Sequence, residues 1–247
     1  MRKNIGLVSV SFRNHTPDEI VRAVKNAGLS AIEWGGDIHV PHGNLERAKE
    51  IKALCDEAEI AMPEYGSYYF LAQSNPELFN DIVQTAQILG SPLIRIWGGK
   101  KSSDTLTCAE YDALVSDAQR ICDITPETTL CLECHGSSIT DEYHMALQFL
   151  QDVHRKNLKM FWQPNQFRCF SYNMDALSAL LPYICSVHVF SWQREKHFPL
   201  VDGKNEWKEY LRILKTKDDI HYMLEFMHDG RIESLKETAE ELKEWLK

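Results

Sequence analysis

Four short apolar segments in the second half of the chain decide the fold: LCLE (Leu130–Glu133), KMFWQ (Lys159–Gln163), SVH (Ser186–His188) and YMLE (Tyr222–Glu225). Each segment ends in a residue that can bind a metal ion. Successive ends lie ~25 to 37 residues apart, close to the ~30 residues of one strand-plus-helix unit in an eight-fold barrel of ~250 residues. This spacing predicts four strands whose last side chains meet, pointing inward, at one end of a parallel barrel.

The rest of the chain continues the alternation of apolar, strand-like segments with amphipathic, helix-like segments. Thr16-Pro17-Asp18-Glu19 is typical of a helix start, with a capping hydroxyl, an early proline and acids in the first turn. No glycine-rich phosphate loop follows the first predicted strand, which disfavours an open, doubly wound sheet. We therefore expect a (β/α)8 TIM barrel, with residues 1–247 forming a single domain. The predicted strands are Ile5–Val10, Ala31–Trp34, Ala61–Tyr65, Leu93–Trp97, Leu130–Glu133, Lys159–Gln163, Ser186–Phe190 and Tyr222–Phe226.

Charge and cysteine content limit the classes of partner. The net charge of −9 disfavours nucleic acid, because phosphate binding needs concentrated Lys and Arg. The seven cysteines are scattered, and we find neither a secretory segment nor a long apolar span. We therefore expect a cytoplasmic protein with reduced thiols and no membrane partner. Cys131 and Cys134 should face opposite sides of a strand, so we expect neither a disulfide nor a shared metal there. The sequence leaves open whether the chain forms a homo-oligomer.

The predicted metal site consists of Glu133, Gln163, His188 and Glu225. Two carboxylates, an imidazole and an amide form an oxygen-and-nitrogen site that suits Mn²⁺, Mg²⁺, Co²⁺ or Zn²⁺. The alternatives are a structural ion pair for the glutamates and a hydrogen-bonded core position for His188. Their shared position at four strand ends favours the metal site. For Gln163, an inward-facing, hydrogen-bonding role is nearly as good an interpretation.

Longer stretches of the chain read TPDEIVRAVKNAGLSAIEWGGDIHVPHG, YGSYYFLA, LIRIWGGKK, LCLECHGSSIT, CSVHVFSW and YMLEF. Together they resemble, over nearly the whole chain, the xylose isomerase-like barrel superfamily of sugar isomerases and epimerases, which also includes the endonuclease IV family. The resemblance implies a metal held by Glu, Asp, His and Glu from the last four strands. Glu133, His188 and Glu225 match the first, third and last of these ligands. Gln163 stands where the family usually has Asp, and Gln166 where its D-x-x-H pattern has His. We therefore expect two formal negative charges instead of three, and weaker metal binding.

The function that the resemblance implies is that of a metal-dependent isomerase or epimerase of a small sugar or polyol-derived ketone. Glu133 and Glu225 would be the catalytic residues: one removes a proton to form an enediolate, and the other returns one. A dehydratase of an inosose-like substrate is a close alternative, because the same enediolate can expel a β-hydroxyl. An endonuclease IV-like phosphodiesterase is disfavoured by the acidic chain and by Gln166. A non-catalytic sugar-binding barrel remains a further alternative.

Aromatic and polar residues near the predicted strand ends are candidates for binding a carbohydrate substrate. Aromatic rings can pack on the C–H face of a sugar while polar groups bind its hydroxyls, although core packing is the alternative for many of them. Arg95 and Arg194 could bind a carboxylate or phosphate. His135 follows Glu133 by two residues and should share its inward direction. The predicted substrate-binding residues are Trp34, His39, Tyr65, Arg95, Trp97, His135, Asn165, Trp192 and Arg194.

Overall fold

The computed structural model describes residues 5–247 and contains a closed barrel of eight parallel strands. The strands follow one another around the barrel in chain order, and the first strand pairs with both the second and the eighth. This arrangement confirms the predicted (β/α)8 fold. The barrel strands are Ile5–Val8, Ala31–Gly35, Ala61–Phe70, Leu93–Trp97, Thr129–Glu133, Leu158–Trp162, Ile184–Val189 and His221–Leu224.

The helices surround the barrel, and two of them begin with reciprocal caps. The hydroxyl of Thr16 accepts a hydrogen bond from the backbone N–H of Glu19, whose carboxylate accepts one from the backbone of Thr16. Thr107 and Glu110 repeat this capping box. Within residues 5–247, no helix is both long enough and apolar enough to cross a membrane. The helices are Pro17–Asn26, Leu45–Glu57, Leu78–Leu89, Cys108–Ile124, Tyr143–Val153, Phe170–Leu180, Lys204–Leu214 and Leu235–Leu246, with short 3₁₀ helices at Ser9–Phe12, Ser103–Thr105, Leu181–Tyr183, Leu200–Gly203 and Ile232–Ser234.

The alternation of side chains along each strand separates the apolar core from the barrel interior. Glu33 of the second strand points inward, where it contacts Arg95 and His188. Its neighbour Trp34 therefore points outward, and Trp34 lies in register with Tyr65 of the third strand. Both aromatic side chains are fully buried in the main core. The apolar core thus includes a layer between strands and helices, and ionisable groups occupy the barrel interior.

The carboxyl-terminal ends of the strands form the mouth of the barrel. The sixth and eighth strands end slightly earlier than predicted, so Gln163 and Glu225 each lie one residue beyond a strand. After the seventh strand, Trp192–Gln193 pairs with Lys196–His197 in a short antiparallel hairpin. These segments beyond the strands position the polar side chains of the candidate site.

Candidate metal centre and active-site cavity

Three of the predicted ligands converge at the mouth of the barrel. Nδ1 of His188 lies 3.5 Å from Oε2 of Glu225 and 3.8 Å from Oε1 of Glu133. All three side chains are buried, and their possible ligand atoms lie within 4.8 Å of one another. Two donors that each lie ~2.1 Å from one ion are about 3.0 to 3.4 Å apart in octahedral or tetrahedral geometry. The observed separations fit a cation after a small inward movement of the side chains.

The imidazole of His188 is oriented for metal binding. Its Nε2 lies 3.0 Å from Oε2 of Glu33, and its Nδ1 is buried without a hydrogen-bond partner among the described residues. Because Nε2–H donates to a carboxylate, Nδ1 is left with the lone pair that a metal ion would use. Buried polar atoms are rarely unpaired. The unpaired nitrogen between two carboxylates is therefore an observation that fits a bound cation.

Electrostatics also favour a positive charge at this position. Burial lowers the pKa of His188, but the negative charges of Glu225 and Glu33 outweigh burial and raise it well above its usual value. The surrounding carboxylates thus favour a positive charge on or beside the imidazole. A divalent cation would supply that charge and displace the proton from the ring.

Gln163 lies beside the three converging ligands. Its Nε2 donates to the backbone carbonyl of Cys134 at 2.8 Å and lies 3.4 Å from Oε1 of Glu133. Its Oε1 is buried and has no hydrogen-bond partner in the part of the chain that the structure describes. The amide oxygen is therefore available as a fourth ligand, and the contact with Glu133 equally satisfies the alternative hydrogen-bonding role.

Glu33 is a central residue that the sequence analysis missed. Glu33 is fully buried and contacts both His188 and the guanidinium of Arg95. Nε of Arg95 lies 2.7 Å from Oε1 of Glu33. Burial raises the pKa of Glu33, but Arg95 and His188 outweigh burial and lower it to about 2. The signal was present: an acid in the middle of the apolar strand AIEWG must be paired if it is buried.

The structure corrects the role predicted for Arg95. Its Nη1 pairs with Oε2 of Glu133, so the guanidinium bridges Glu33 and Glu133 and is only 2 % exposed. A glycine makes room for this bridge, because a Cβ on Gly66 would lie 2.5 Å from Nη2 of Arg95 and 2.7 Å from Oε1 of Glu33. Arg95 is therefore already paired with two carboxylates and is not a free cation for a substrate carboxylate or phosphate.

A second buried pair lies deeper in the barrel. Oε1 of Glu64 lies 2.7 Å from Nδ1 of His221, and Glu64 is in register with Glu33 on the neighbouring strand. Burial, with the charge of Glu33 as a smaller cause, raises the pKa of Glu64. Glu64 also lies close to the candidate ligand His188, because one carboxylate oxygen of Glu64, one of Glu33 and one ring nitrogen of His188 all lie within 4.8 Å of one another.

A cavity of about 450 Å³ opens beside the candidate metal centre. Its walls include Glu133, Gln163 and Glu225, so a ligand in the cavity would reach them. Five of the predicted substrate-binding residues line it as well: Arg95, Trp97, His135, Asn165 and Trp192. The ring of Trp97 packs edge-on against that of His135 with the centroids 4.4 Å apart. Other residues of the wall, which the sequence analysis did not list, include Tyr68, Asp141, Tyr143, Phe167, Tyr172 and Phe226.

Four predicted substrate-binding residues do not line the cavity. Trp34 and Tyr65 face outward because the neighbouring Glu33 and Glu64 face inward, and the hydroxyl of Tyr65 donates to the carbonyl of Val40. His39 packs against Trp34, and its Nδ1 lies 3.0 Å from the hydroxyl of Ser9. Arg194 lies in the exposed turn of the short hairpin. The predictions for Trp34, His39, Tyr65 and Arg194 were therefore wrong in position.

The cysteines form no disulfide among residues 5–247. Sγ of Cys131 lies 3.1 Å from Sγ of Cys185 on the seventh strand. Burial raises the pKa of Cys131 well above the usual value of a thiol. Cys134 directly follows the fifth strand, which contains Cys131, and the two thiols form no disulfide. The C-x-x-C spacing thus has no redox or metal role that the geometry supports.

A comparison with family models matches residues 21–247 to the xylose isomerase-like TIM barrel. The chain belongs to this family. The predicted resemblance is therefore confirmed. No curated protein sequence matches the chain.

Solved structures of low sequence identity share the fold. A probable 3-DHS dehydratase, AsbF of Bacillus anthracis, is 20% identical with a TM-score of 0.81, over 98% of each chain. A xylose isomerase-like TIM barrel protein from Mycobacterium smegmatis in complex with magnesium is 15% identical with a TM-score of 0.79, over 99% of this chain and 97% of that one. The 3-keto-D-glucoside 4-epimerase YcjR of E. coli is 13% identical with a TM-score of 0.71, over 98% and 100%.

Proposed function

We propose that this protein is a divalent-metal-dependent isomerase or epimerase of a small sugar or polyol-derived ketone. The observation that carries the proposal is the convergence of Glu133 and Glu225 on the unpaired Nδ1 of His188 at the wall of the cavity. Membership of a family whose structural relatives include an epimerase and a probable dehydratase supports it. The fold alone would not identify a reaction, so the proposal depends on these side chains.

Glu133, His188 and Glu225 would hold the cation, with Gln163 as the candidate fourth ligand. When bound, a divalent cation polarises a carbonyl and its neighbouring hydroxyl, and so lowers the pKa of the C–H bond between them. The mixed oxygen-and-nitrogen donor set suits Mn²⁺, Mg²⁺, Co²⁺ or Zn²⁺.

The two glutamates differ in the oxygens that they offer for proton transfer. Oε2 of Glu133 accepts from Arg95, and its Oε1 faces both His188 and Gln163. In Glu225, Oε2 is the atom nearest to His188, and Oε1 accepts no hydrogen bond that is observed within residues 5–247. Because a free oxygen is needed to accept a proton, we assign proton abstraction from carbon to Glu225. Glu133 would return to the substrate a proton that its Oε1 first takes from solvent, and Glu225 would release its proton to solvent after the product leaves.

Dehydration is the second candidate reaction, and His135 is the residue that supports it. Its Nδ1 lies 2.7 Å from the carbonyl oxygen of Gly136, so Nδ1 is the donor and Nε2 is left for a ligand. His135 lies on the cavity wall, where a ring that also carries a proton on Nε2 would give that proton to a leaving β-hydroxyl and return to the neutral Nδ1–H form. The mass and the NMR spectrum of the product distinguish the reactions, because dehydration removes one water and leaves an enol or its 1,2-dicarbonyl tautomer, whereas isomerisation keeps the mass of the substrate.

Solvent exchange tests the proposed proton transfer. Ketoses and inososes would be incubated with the protein and Mn²⁺ in heavy water, and NMR would record deuterium at the carbon next to the carbonyl. We expect deuterium to enter the active substrate. Glu133→Gln should lose net turnover but retain exchange, and Glu225→Gln should lose both, because the amide keeps the shape but cannot accept a proton. Turnover without any deuterium would indicate a hydride shift instead.

Metal analysis separates the enzyme from the remaining alternative, a sugar-binding barrel that lacks catalysis. One divalent ion per purified chain supports the enzyme. A metal-free protein that binds sugar equally well with and without added Mn²⁺ supports the binding protein. The double variant Glu133→Gln with Glu225→Gln is the control, because it removes both carboxylate charges from the centre and should lose the ion.

A further inference from the structure

We infer that the cavity selects an uncharged polyhydroxy carbonyl compound and discriminates against its phosphorylated or carboxylated analogues. The inference rests on the proposed function, and it specifies the substrate class of the same site. It is carried by the charges of the cavity wall, by the loop N–H groups beside it and by its aromatic surfaces.

Acidic groups dominate the charged part of the cavity wall. Glu133, Glu225 and Asp141 line the cavity. Among residues 5–247, Arg95 is the one Lys or Arg side chain that lines it. The guanidinium of Arg95 offsets one of these three carboxylate charges, and a divalent cation at the candidate centre would balance the other two. It would leave no surplus positive charge for a phosphate or carboxylate. A buried anion without a cationic partner is strongly unfavourable.

Arg95 cannot serve as that partner without breaking two ion pairs. Its Nε pairs with Glu33 and its Nη1 with Glu133, and both contacts are buried. Turning the guanidinium towards a substrate anion would leave the buried carboxylate of Glu133 without its guanidinium partner, and Glu33 would keep the imidazole of His188 but lose its cation. The cost of an unpaired buried charge exceeds the gain from one new contact. Arg194, the other arginine predicted to bind an anion, does not line the cavity.

Some backbone N–H groups in the loops around the mouth donate to side-chain oxygens of the chain itself. Many TIM barrels bind phosphate in the loops after the seventh and eighth strands, at the N-terminus of a short extra helix. In this chain, the carboxylate of Asp229 in the loop after the eighth strand accepts from the N–H of Arg231 and the hydroxyl of Ser234, at the 3₁₀ helix Ile232–Ser234. The corresponding loop after the sixth strand is similar: Oδ1 of Asn173 accepts from the N–H of Asn165 at 2.8 Å.

Neutral groups on the wall suit a sugar ring or an inosose. Trp97 and Trp192 both line the cavity, and each indole Nε1 is buried without a hydrogen-bond partner within residues 5–247. Trp192 is held in place by stacking on His197, with the ring centroids 4.3 Å apart. Aromatic faces bind the C–H surface of a polyhydroxy ring, and N–H groups bind its hydroxyls. These contacts require no charge on the ligand.

Calorimetric titration of the Mn²⁺-loaded protein with matched pairs of ligands tests the inference. Each pair shares one carbon skeleton: D-fructose with D-fructose 6-phosphate, and D-glucose with D-glucuronate. We expect the neutral member to bind at least about tenfold more tightly, because like charges brought together at a site weaken binding by that scale or more. Asp141→Asn should reduce the difference in affinity between the neutral and the anionic ligand of each pair, because it should improve binding of the anionic ligand. Asp112→Asn, on an exposed helix surface, is the matched control and should leave the gap unchanged.

The outcomes separate this inference from the proposed function. Equal or tighter binding of the phosphate and carboxylate would overturn the inference while supporting a carbohydrate site. A protein that binds Mn²⁺ but no member of either pair would overturn the proposed function, and the inference with it. An unchanged gap in Asp141→Asn would show that the charge of the cavity wall does not set the selectivity.

Discussion

At the scale of single residues, Gln163 sets the charge of the candidate metal centre. It lies beside Glu133, and its amide brings an oxygen but no charge where the family resemblance implies a carboxylate. We predict that Gln163→Asp tightens Mn²⁺ binding by ~1–3 kcal/mol, the scale of a charge-assisted contact. Calorimetric titration of both proteins with Mn²⁺ measures the difference. Equal or weaker binding by the Asp variant would show that Gln163 does not ligate the metal.

Glu33 is a second single residue with a testable role, because it orients the imidazole of His188. It accepts from Nε2 and so directs Nδ1 to the candidate centre, as outer carboxylates do for metal-binding histidines. We predict that Glu33→Gln weakens Mn²⁺ binding about 10- to 100-fold. Nitrogen NMR of the histidine ring in the Zn²⁺-loaded protein adds a readout that a general loss of stability would not change, namely the fraction of the Nε2–H tautomer.

Glu64→Gln is the matched control for Glu33→Gln. Glu64 is equally buried, lies in register with Glu33 and is also within 4.8 Å of His188, but its carboxylate hydrogen-bonds Nδ1 of His221, whereas that of Glu33 hydrogen-bonds Nε2 of His188. The Glu64→Gln variant should have an altered free energy of unfolding, but its affinity for Mn²⁺ should stay within a few-fold of that of the original protein. If both variants weaken the metal equally, the effect of Glu33 does not act through His188.

At the scale of secondary-structure elements, the face of a strand decides whether its tryptophan serves stability or binding. Trp34 is fully buried on the outer face of the second strand, whereas Trp97, at the end of the fourth, lines the cavity. We predict that Trp34→Ala lowers the free energy of unfolding by ~3–5 kcal/mol, the usual cost of removing a buried large ring. Trp97→Ala should cost less stability and weaken ligand binding more.

Two measurements on each variant check this contrast. Urea denaturation gives the free energy of unfolding, and quenching of the remaining tryptophan fluorescence by a neutral sugar gives binding. A Trp34→Phe variant should recover much of the stability while keeping the ligand affinity of the original protein. Loss of sugar binding in a folded Trp34→Phe protein would contradict the assignment of this residue to the core.

At the scale of the whole molecule, the charge distribution predicts no sequence-independent binding of nucleic acid. The net charge is −9, and several of the arginines form ion pairs with neighbouring acids, among them Arg13 with Asp37 and Arg155 with Asp123. DNA binding depends on unpaired basic groups that neutralise phosphates. A gel shift at moderate salt, with a duplex containing an abasic site, should show free DNA and no incision. Retention at micromolar protein, or strand cleavage, would favour the endonuclease alternative.

Periodicity along the chain was enough to predict the barrel and part of the candidate site. The ~30-residue repeat of strand and helix predicted the barrel, and residues at the strand ends predicted that Glu133, His188 and Glu225 would meet. Two-residue alternation placed His135 with Glu133. These inferences succeeded because parallel barrel strands all end at the same rim.

The inward face of each strand and the pairing of distant charges became clear from the closed barrel and not from the sequence. Trp34 and Glu33 are adjacent in sequence, and closure of the barrel turned Glu33 inward and Trp34 into the core. Arg95 was predicted as a free cation, yet it pairs with Glu33, 62 residues away, and with Glu133, 38 residues away. Sequence spacing carries no information about such pairs, because they depend on the register between strands and on the width of the barrel.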